Sequence, residues 1–177
     1  MKQVLVLLGK ARSGKDTVAD FIVKEFGYTK FVFSSVLEEE LKRQGKTVSK
    51  QAMALLGDEL REKHGMDFIA VKLLEKVKNE KKIVFVGARS VEEVLLIKKK
   101  FPQAKLVLVE ADESNRFGRR TSTESDSFEG FLERDKIDEQ KKGMKKLFVL
   151  ADFKLENNGS VEELSKKTRQ LMYNIFK

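Results

Sequence analysis

Cysteine is absent from this 177-residue chain, which excludes a disulfide framework and a thiolate metal site. Histidine occurs once, at His64 beside Gly65; a lone imidazole at a helix end makes a poor metal set or base, and no role is assigned to it. Long apolar runs are missing too. The longest begins at Val4 and stops at Gly9, far short of the roughly 18 residues that span a membrane. That stretch is also too short for a secretion signal and runs straight into a glycine loop. The cytoplasm is the expected compartment, with no membrane partner.

What is present describes a globular domain, with 41% hydrophobic and 36% charged residues, enough to bury a core at this length. The net charge of +8 admits nucleic acid, an anionic membrane or a phosphorylated small substrate as partner. The lysines fall in short groups such as Lys81-Lys82, Lys98–Lys100 and Lys166-Lys167, mostly interleaved with glutamates on helical stretches. That pattern describes a solvated face, so nucleic acid is not the expected partner.

Along the chain, short apolar strands alternate with helical periods. Gln3–Leu8, Tyr28–Phe33, Lys82–Val86, Lys105–Glu110 and Asp152–Glu156 read as strands. Lys15–Phe26 has a helical apolar period closed by Gly27. Ser34 or Ser35 is expected to cap a helix to about Arg43, followed by helices over Ser49–His64, Asp67–Lys78, Val91–Phe101 and Val161–Ile175. A polar, helix-rich stretch fills Asp112–Leu150, with the polar run Thr121–Ser127 inside it. The expected fold is α/β: a three-layer arrangement with a five-stranded parallel sheet and helices on both faces. Residues 1–177 read as one domain, with 34–80 as acceptor-binding helices and 112–143 as a lid region.

Between the first strand and first helix lies Gly9-Lys10-Ala11-Arg12-Ser13-Gly14-Lys15-Asp16-Thr17, which contains the Gly-x4-Gly-Lys pattern of a phosphate loop. Its glycines let backbone amides turn inward onto phosphate oxygens, the following helix adds the positive end of its dipole, and Lys15 reaches the β and γ phosphates. ATP and Mg²⁺ are the cofactors this loop implies. Serine or threonine usually follows the lysine and binds Mg²⁺. Here Asp16 stands there with Thr17 next, and either residue is a candidate metal ligand.

The loop resembles those of deoxynucleoside monophosphate kinases and phosphomevalonate kinases. Leu60-Arg61-Glu62, Val84–Ser90 with Glu92-Glu93-Val94, Arg134-Asp135 and Ala151–Gly159 are similar to archaeal dephospho-CoA-kinase-like or adenylate-kinase-related proteins. The resemblance implies a nucleoside-monophosphate-kinase type of fold with an arginine-bearing lid. It implies Gly9, Ala11–Thr17, Arg119 and Asn158 for the nucleotide, and Arg61, Arg89 and Arg134 for a phosphorylated acceptor. Lys15, Arg116 and Arg120 are the implied catalytic cations. Guanidinium groups suit these roles because their planar fork binds phosphate in two-pronged fashion. Arg116, Arg119 and Arg120 also have the i, i+3, i+4 spacing of one helical face, with lid arginines offsetting charge on a transferring phosphoryl group.

An alcohol acceptor needs a base, whereas an ionised phosphate is already a nucleophile. Related archaeal sequences carry aspartates where this chain has Ser35 and Val86, which leans the reading toward a nucleoside or deoxynucleoside monophosphate. Glu38, Glu39 and Asp58 are the carboxylates that remain for an alcohol. Dephospho-CoA kinase or phosphomevalonate-kinase-like activity is the nearest alternative. A nucleotide-binding switch or RNA-associated ATPase is a further one.

Overall fold

The computed structural model describes residues 2–176 apart from 121–126. The strands are β1 (Gln3–Leu8), β2 (Thr29–Val32), β3 (Lys82–Val86), β4 (Lys105–Glu110) and β5 (Phe153–Glu156). The helices among the described residues are α1 (Lys15–Phe26), α2 (Phe33–Arg43), α3 (Lys50–His64), α4 (Phe68–Glu75), α5 (Val91–Lys100), α6 (Glu113–Gly118), α7 (Phe128–Lys142), α8 (Met144–Val149) and α9 (Val161–Ile175).

All strand pairs are parallel, in the order β2-β3-β1-β4-β5. The strands are apolar on both faces because both faces are covered. Alternate residues divide between two cores: Val4, Val6 and Leu8 pack with Phe33, Leu41, Ile69, Leu73 and Ile97, whereas Leu5 and Leu7 pack with Val18, Ile22, Leu164 and Met172. α1 and α9 therefore cover one face, and α2 to α5 with α8 cover the other. From β1 the chain moves to β2 and β3 on one side and to β4 and β5 on the other. The carboxyl end of β1 is thus the topological switch point, where open α/β sheets bind ligands.

Two expected boundaries shift. The second strand stops at Val32, and Phe33 opens α2 with no side-chain cap. Burial of Phe33, Val36, Leu37 and Leu41 fixes that start, and the Ser35 hydroxyl bonds back to the Val32 carbonyl at 2.8 Å instead of capping the helix. α4 is shorter than the expected Asp67–Lys78 because the chain leaves the helix after Glu75 and turns at Lys78, whose amide donates to the Glu80 carboxylate. The other expected strands and helices outside Asp112–Leu150 appear with ends displaced by at most one residue. No helix among the described residues is long and apolar enough to cross a membrane.

Candidate active site

The loop from Gly9 to Thr17 leaves β1 at the switch point and enters α1. Gly9 (φ 151°) and Gly14 (φ 95°) lie in backbone regions that L side chains rarely adopt. A Cβ on Gly9 would overlap the Val109 carbonyl and Ser13 Oγ, and one on Gly14 would overlap Asn157 Nδ2. Arg12, at φ 60°, is the positive-φ residue without glycine's freedom. Its conformation costs about 1–2 kcal/mol, which persists only where surrounding contacts hold it.

Those contacts grip the carbonyl edge of the loop. Arg116, 1% exposed, donates from Nη1 to the Ala11 carbonyl (3.3 Å), from Nε to Ala111 (3.2 Å) and from Nη2 to Asp135 (2.5 Å). Arg119 Nη1 donates to the Arg12 and Ser13 carbonyls (3.3 and 3.4 Å), and its Nη2 to the Asn157 carbonyl (2.7 Å). Asn157 Nδ2 donates to the Ser13 carbonyl at 2.8 Å. In a trans peptide the N–H points opposite to the C=O. Holding the Ala11 and Ser13 carbonyls from behind therefore turns the Arg12 and Gly14 amides to the other side of the loop. The first amides of α1 add further donors, as at any helix start.

Lys15 opens α1, and its Nζ donates to the Lys10 carbonyl at 3.2 Å. Burial pushes its pKa down; Asp16 opposes the shift, and the nearby charges of Arg89 and Arg116 add to it. A partly desolvated cation under the repulsion of two guanidiniums is a site that gains from a bound anion. The Lys15 stem runs beside the turn after β3, where a Cβ on Gly87 (φ 90°) would lie 4.0 Å from Lys15 Cε. That turn carries Arg89, whose charge acts on Lys15. Among the described residues the buried Ser13 hydroxyl has no hydrogen-bond partner, an orphan that a phosphate oxygen would satisfy. The residues present therefore fit a polyphosphate.

The metal candidates differ. The Asp16 side chain is 62% exposed and lies 3.6 Å from Lys30, which also pairs with Asp20 at 3.0 Å. Thr17 is half-buried one residue further into α1. Among the described residues no group of three or more potential ligands surrounds a metal site. Mg²⁺ takes one or two protein oxygens and completes its shell with phosphates and water, so Asp16 or Thr17 is the residue that would offer one.

Other expected positions are altered by tertiary structure. The three-arginine helical face does not form, because α6 ends at Gly118: Arg119 is already its C-cap, and Arg120 stacks over the Phe117 ring at 4.4 Å. Asn158 accepts from the Asp112 amide (2.8 Å) and Asn115 (3.3 Å), and its neighbour Asn157 meets the loop itself. Arg61 is buried against Glu93, with its Nη2 2.7 Å from Oε1. Arg134 lies in α7, and its side chain, like Thr121–Asp126 of the lid region, is outside the described residues. Expectation also missed the grip of α7: Glu139 and Asp135 pair with Lys10, and Phe131 lies under the guanidiniums of Arg12 and Arg116 at 4.9 and 5.0 Å. Lys10 holds Glu139 below the usual carboxylate range. Beside this contact is a cleft of about 580 Å³ lined by Lys10, Ser13, Asp112, Arg116, Phe128 and Phe148.

Sheet order, loop and lysine together define a P-loop NTPase fold of the kinase-like kind. Residues 8–130 match the AAA domain family. The chain is 32% identical to a UPF0200 protein of Pyrobaculum aerophilum, across 97% of this chain and 98% of the relative. It is 34% identical to a UPF0200/UPF0201 protein of Archaeoglobus fulgidus across 99% of this chain, which spans 56% of that relative's length. The chain belongs to the AAA domain family and, by its full-length likeness to the Pyrobaculum protein, to the UPF0200 family. In fold it is similar to shikimate kinase from Bacteroides thetaiotaomicron (TM-score 0.66, 14% identity, 97% of this chain and 98% of that one). It is also similar to a gluconokinase from Sinorhizobium meliloti (TM-score 0.58, 13% identity, 98% and 95%).

Proposed function

We propose that the chain is a phosphotransferase moving the γ-phosphoryl group of Mg·ATP to the phosphate of a nucleoside or deoxynucleoside monophosphate. The observation that carries this reading is that the turn bearing Arg89 runs beside the Lys15 stem, where a Cβ on Gly87 would lie 4.0 Å from Lys15 Cε, so that the Arg89 charge acts on Lys15. Two cations from different elements provide for two anions side by side, one held by the loop and one presented by the turn after β3. The acceptor's phosphate oxygen bonds to the γ-phosphorus as the bond to the β,γ-bridging oxygen breaks, and ADP leaves with that electron pair. Lys15 and the loop amides take up charge on the phosphates. Arg116 and Arg119 keep those amides aimed, Asp16 or Thr17 offers an oxygen to Mg²⁺, and Arg120 and Arg134 are left to act from the lid region. When bound, the metal would supply charge neutralisation on the phosphates.

The phosphate acceptor is supported by what flanks the site. The Ser35 hydroxyl donates to a backbone carbonyl, Val86 is buried and apolar, and Glu39 is paired with Lys76. Ser35 and Val86 thus hold no carboxylate where related archaeal sequences carry aspartates, and Glu38, Glu39 and Asp58 are the carboxylates left to an alcohol reading. The names of the structural neighbours, both kinases of small molecules, support transfer as the reaction class.

ADP formation from Mg·ATP is measured with ribo- and deoxynucleoside monophosphates, phosphomevalonate, dephospho-CoA, shikimate and gluconate. Turnover on a monophosphate that disappears in Lys15→Ala is expected. Turnover confined to dephospho-CoA, shikimate or gluconate overturns the acceptor assignment. ATP binding with no turnover on any of them overturns the transfer itself.

A further inference from the structure

Arg61 was expected on the acceptor side, yet its guanidinium points into the protein. Nε and Nη2 both reach Glu93 Oε1 (3.2 and 2.7 Å), and Nη1 donates to the Gly57 carbonyl (3.2 Å). Glu93 is fully buried and Arg61 is 6% exposed. The other carboxylate oxygen, Oε2, accepts the backbone amides of Arg89 (2.7 Å) and Ser90 (3.3 Å). Ser90 completes a capping box with Glu93 and anchors to α4's approach through the Met66 carbonyl at 2.9 Å. A continuous chain of bonds therefore runs from α3 through Glu93 to the backbone of Arg89, on the turn beside Lys15.

A capping box has no need of such an arginine, and the molecule contains its own control. α9 begins with the same box, Ser160 with Glu163, and there, among the described residues, the glutamate's bonds stay within the box. Desolvating Arg61 and Glu93 as a pair is not required for helix stability, because well-packed apolar residues commonly replace buried ion pairs without loss. The pair does set where the Arg89 backbone sits, by fixing the carboxylate that holds it.

We infer that Arg61 is a positioning residue: through Glu93 it fixes the turn that presents Arg89 to the acceptor's anionic group, and it does not touch the acceptor. The inference rests on Arg89 as the acceptor-side cation, so its test has one arm that needs no substrate. In that arm, backbone hydrogen exchange at Arg89 and Ser90 is measured on the free protein for wild type, Arg61→Lys and the double variant Arg61→Leu/Glu93→Gln. The double variant leaves no buried charge unpaired and keeps the test open if Arg61→Lys does not fold. Exchange at both amides is expected to accelerate about tenfold or more in the variants, while Ser160 and Glu163 amides in α9 do not change.

The second arm uses the monophosphate turned over by wild type. Arg61→Lys is expected to raise its KM about tenfold without weakening ATP binding, and to add nothing once Arg89→Ala is present, as two residues acting through one contact do. Unchanged exchange at Arg89 and Ser90 overturns the relay. KM effects that multiply in the double variant Arg61→Lys/Arg89→Ala overturn it too, because they mean that Arg61 meets the acceptor itself. Absence of any monophosphate turnover refutes the acceptor reading and leaves the exchange arm to decide the relay.

Discussion

Replacing Asn157 by alanine tests whether the loop is held from behind. Asn157 is 6% exposed, and its Nδ2 supplies the 2.8 Å bond to the Ser13 carbonyl. Its backbone contributes separately, through the amide bond to the Glu110 carbonyl and the carbonyl bond from Arg119; alanine keeps both. The side-chain deletion leaves the Ser13 carbonyl with only the longer contact to Arg119 at 3.4 Å. Losing a buried hydrogen bond and stranding its acceptor costs about 1–3 kcal/mol. Taking ~2 kcal/mol, the melting temperature falls by about 4–8 °C for a chain of this size. The Ser13–Gly14 peptide also becomes freer to rotate. If half of that energy appears as lost aim of the Gly14 amide, Mg·ATP binding weakens about fivefold. Calorimetric titration with Mg·ATP and a melting curve on the same sample check both figures. Asn158→Ala is the control: its Oδ1 serves the start of α6 at an exposed position, and ATP affinity should stay within about twofold. An Asn157→Ala protein that binds ATP as tightly as wild type refutes the brace. So does an Asn158→Ala protein that binds less tightly than Asn157→Ala.

Because burial lowers the Lys15 pKa, the folded chain sheds this proton at lower pH than the unfolded chain. Between the lowered value and the ordinary lysine value the unfolded state binds more protons, so Lys15's contribution to stability rises with pH. Bound phosphate favours the charged form, so Mg·ATP affinity should fall over that same window; a flat affinity profile there, compared with Lys15→Arg, would sink the assignment. Asp135→Ala removes the partner of the buried Arg116 Nη2, and stranding a buried cation costs about 3 kcal/mol. Circular-dichroism melts should show a loss of roughly 6–12 °C, with no loss meaning that Arg116 finds another anion.

The sequence determined the sheet, the loop and the placement of Lys15, because these are written in local terms. A run of apolar residues makes a strand covered on both faces, a 3.6-residue period makes a covering helix, and Gly9 and Gly14 stand where the backbone needs positive φ. The capping boxes of α5 and α9 are local too, each made by a serine and the glutamate three residues on. Tertiary structure decided what each arginine does. Spacing placed Arg116, Arg119 and Arg120 together, but beyond the end of α6 at Gly118 only Arg119 joins Arg116 on the loop, while Arg120 lies over the Phe117 ring. Burial against Asp135 made Arg116 a brace. Arg61 and Glu93 lie 32 residues apart and meet only because α3 packs near the start of α5. Asn157 and Ser13, 144 residues apart, meet because β4 and β5 extend the sheet beside the loop. A guanidinium's long side chain and five donors let it serve a phosphate, a carbonyl or a carboxylate equally well. Its role is fixed by the nearest acceptor once the chain has folded, and a linear pattern does not carry that distance.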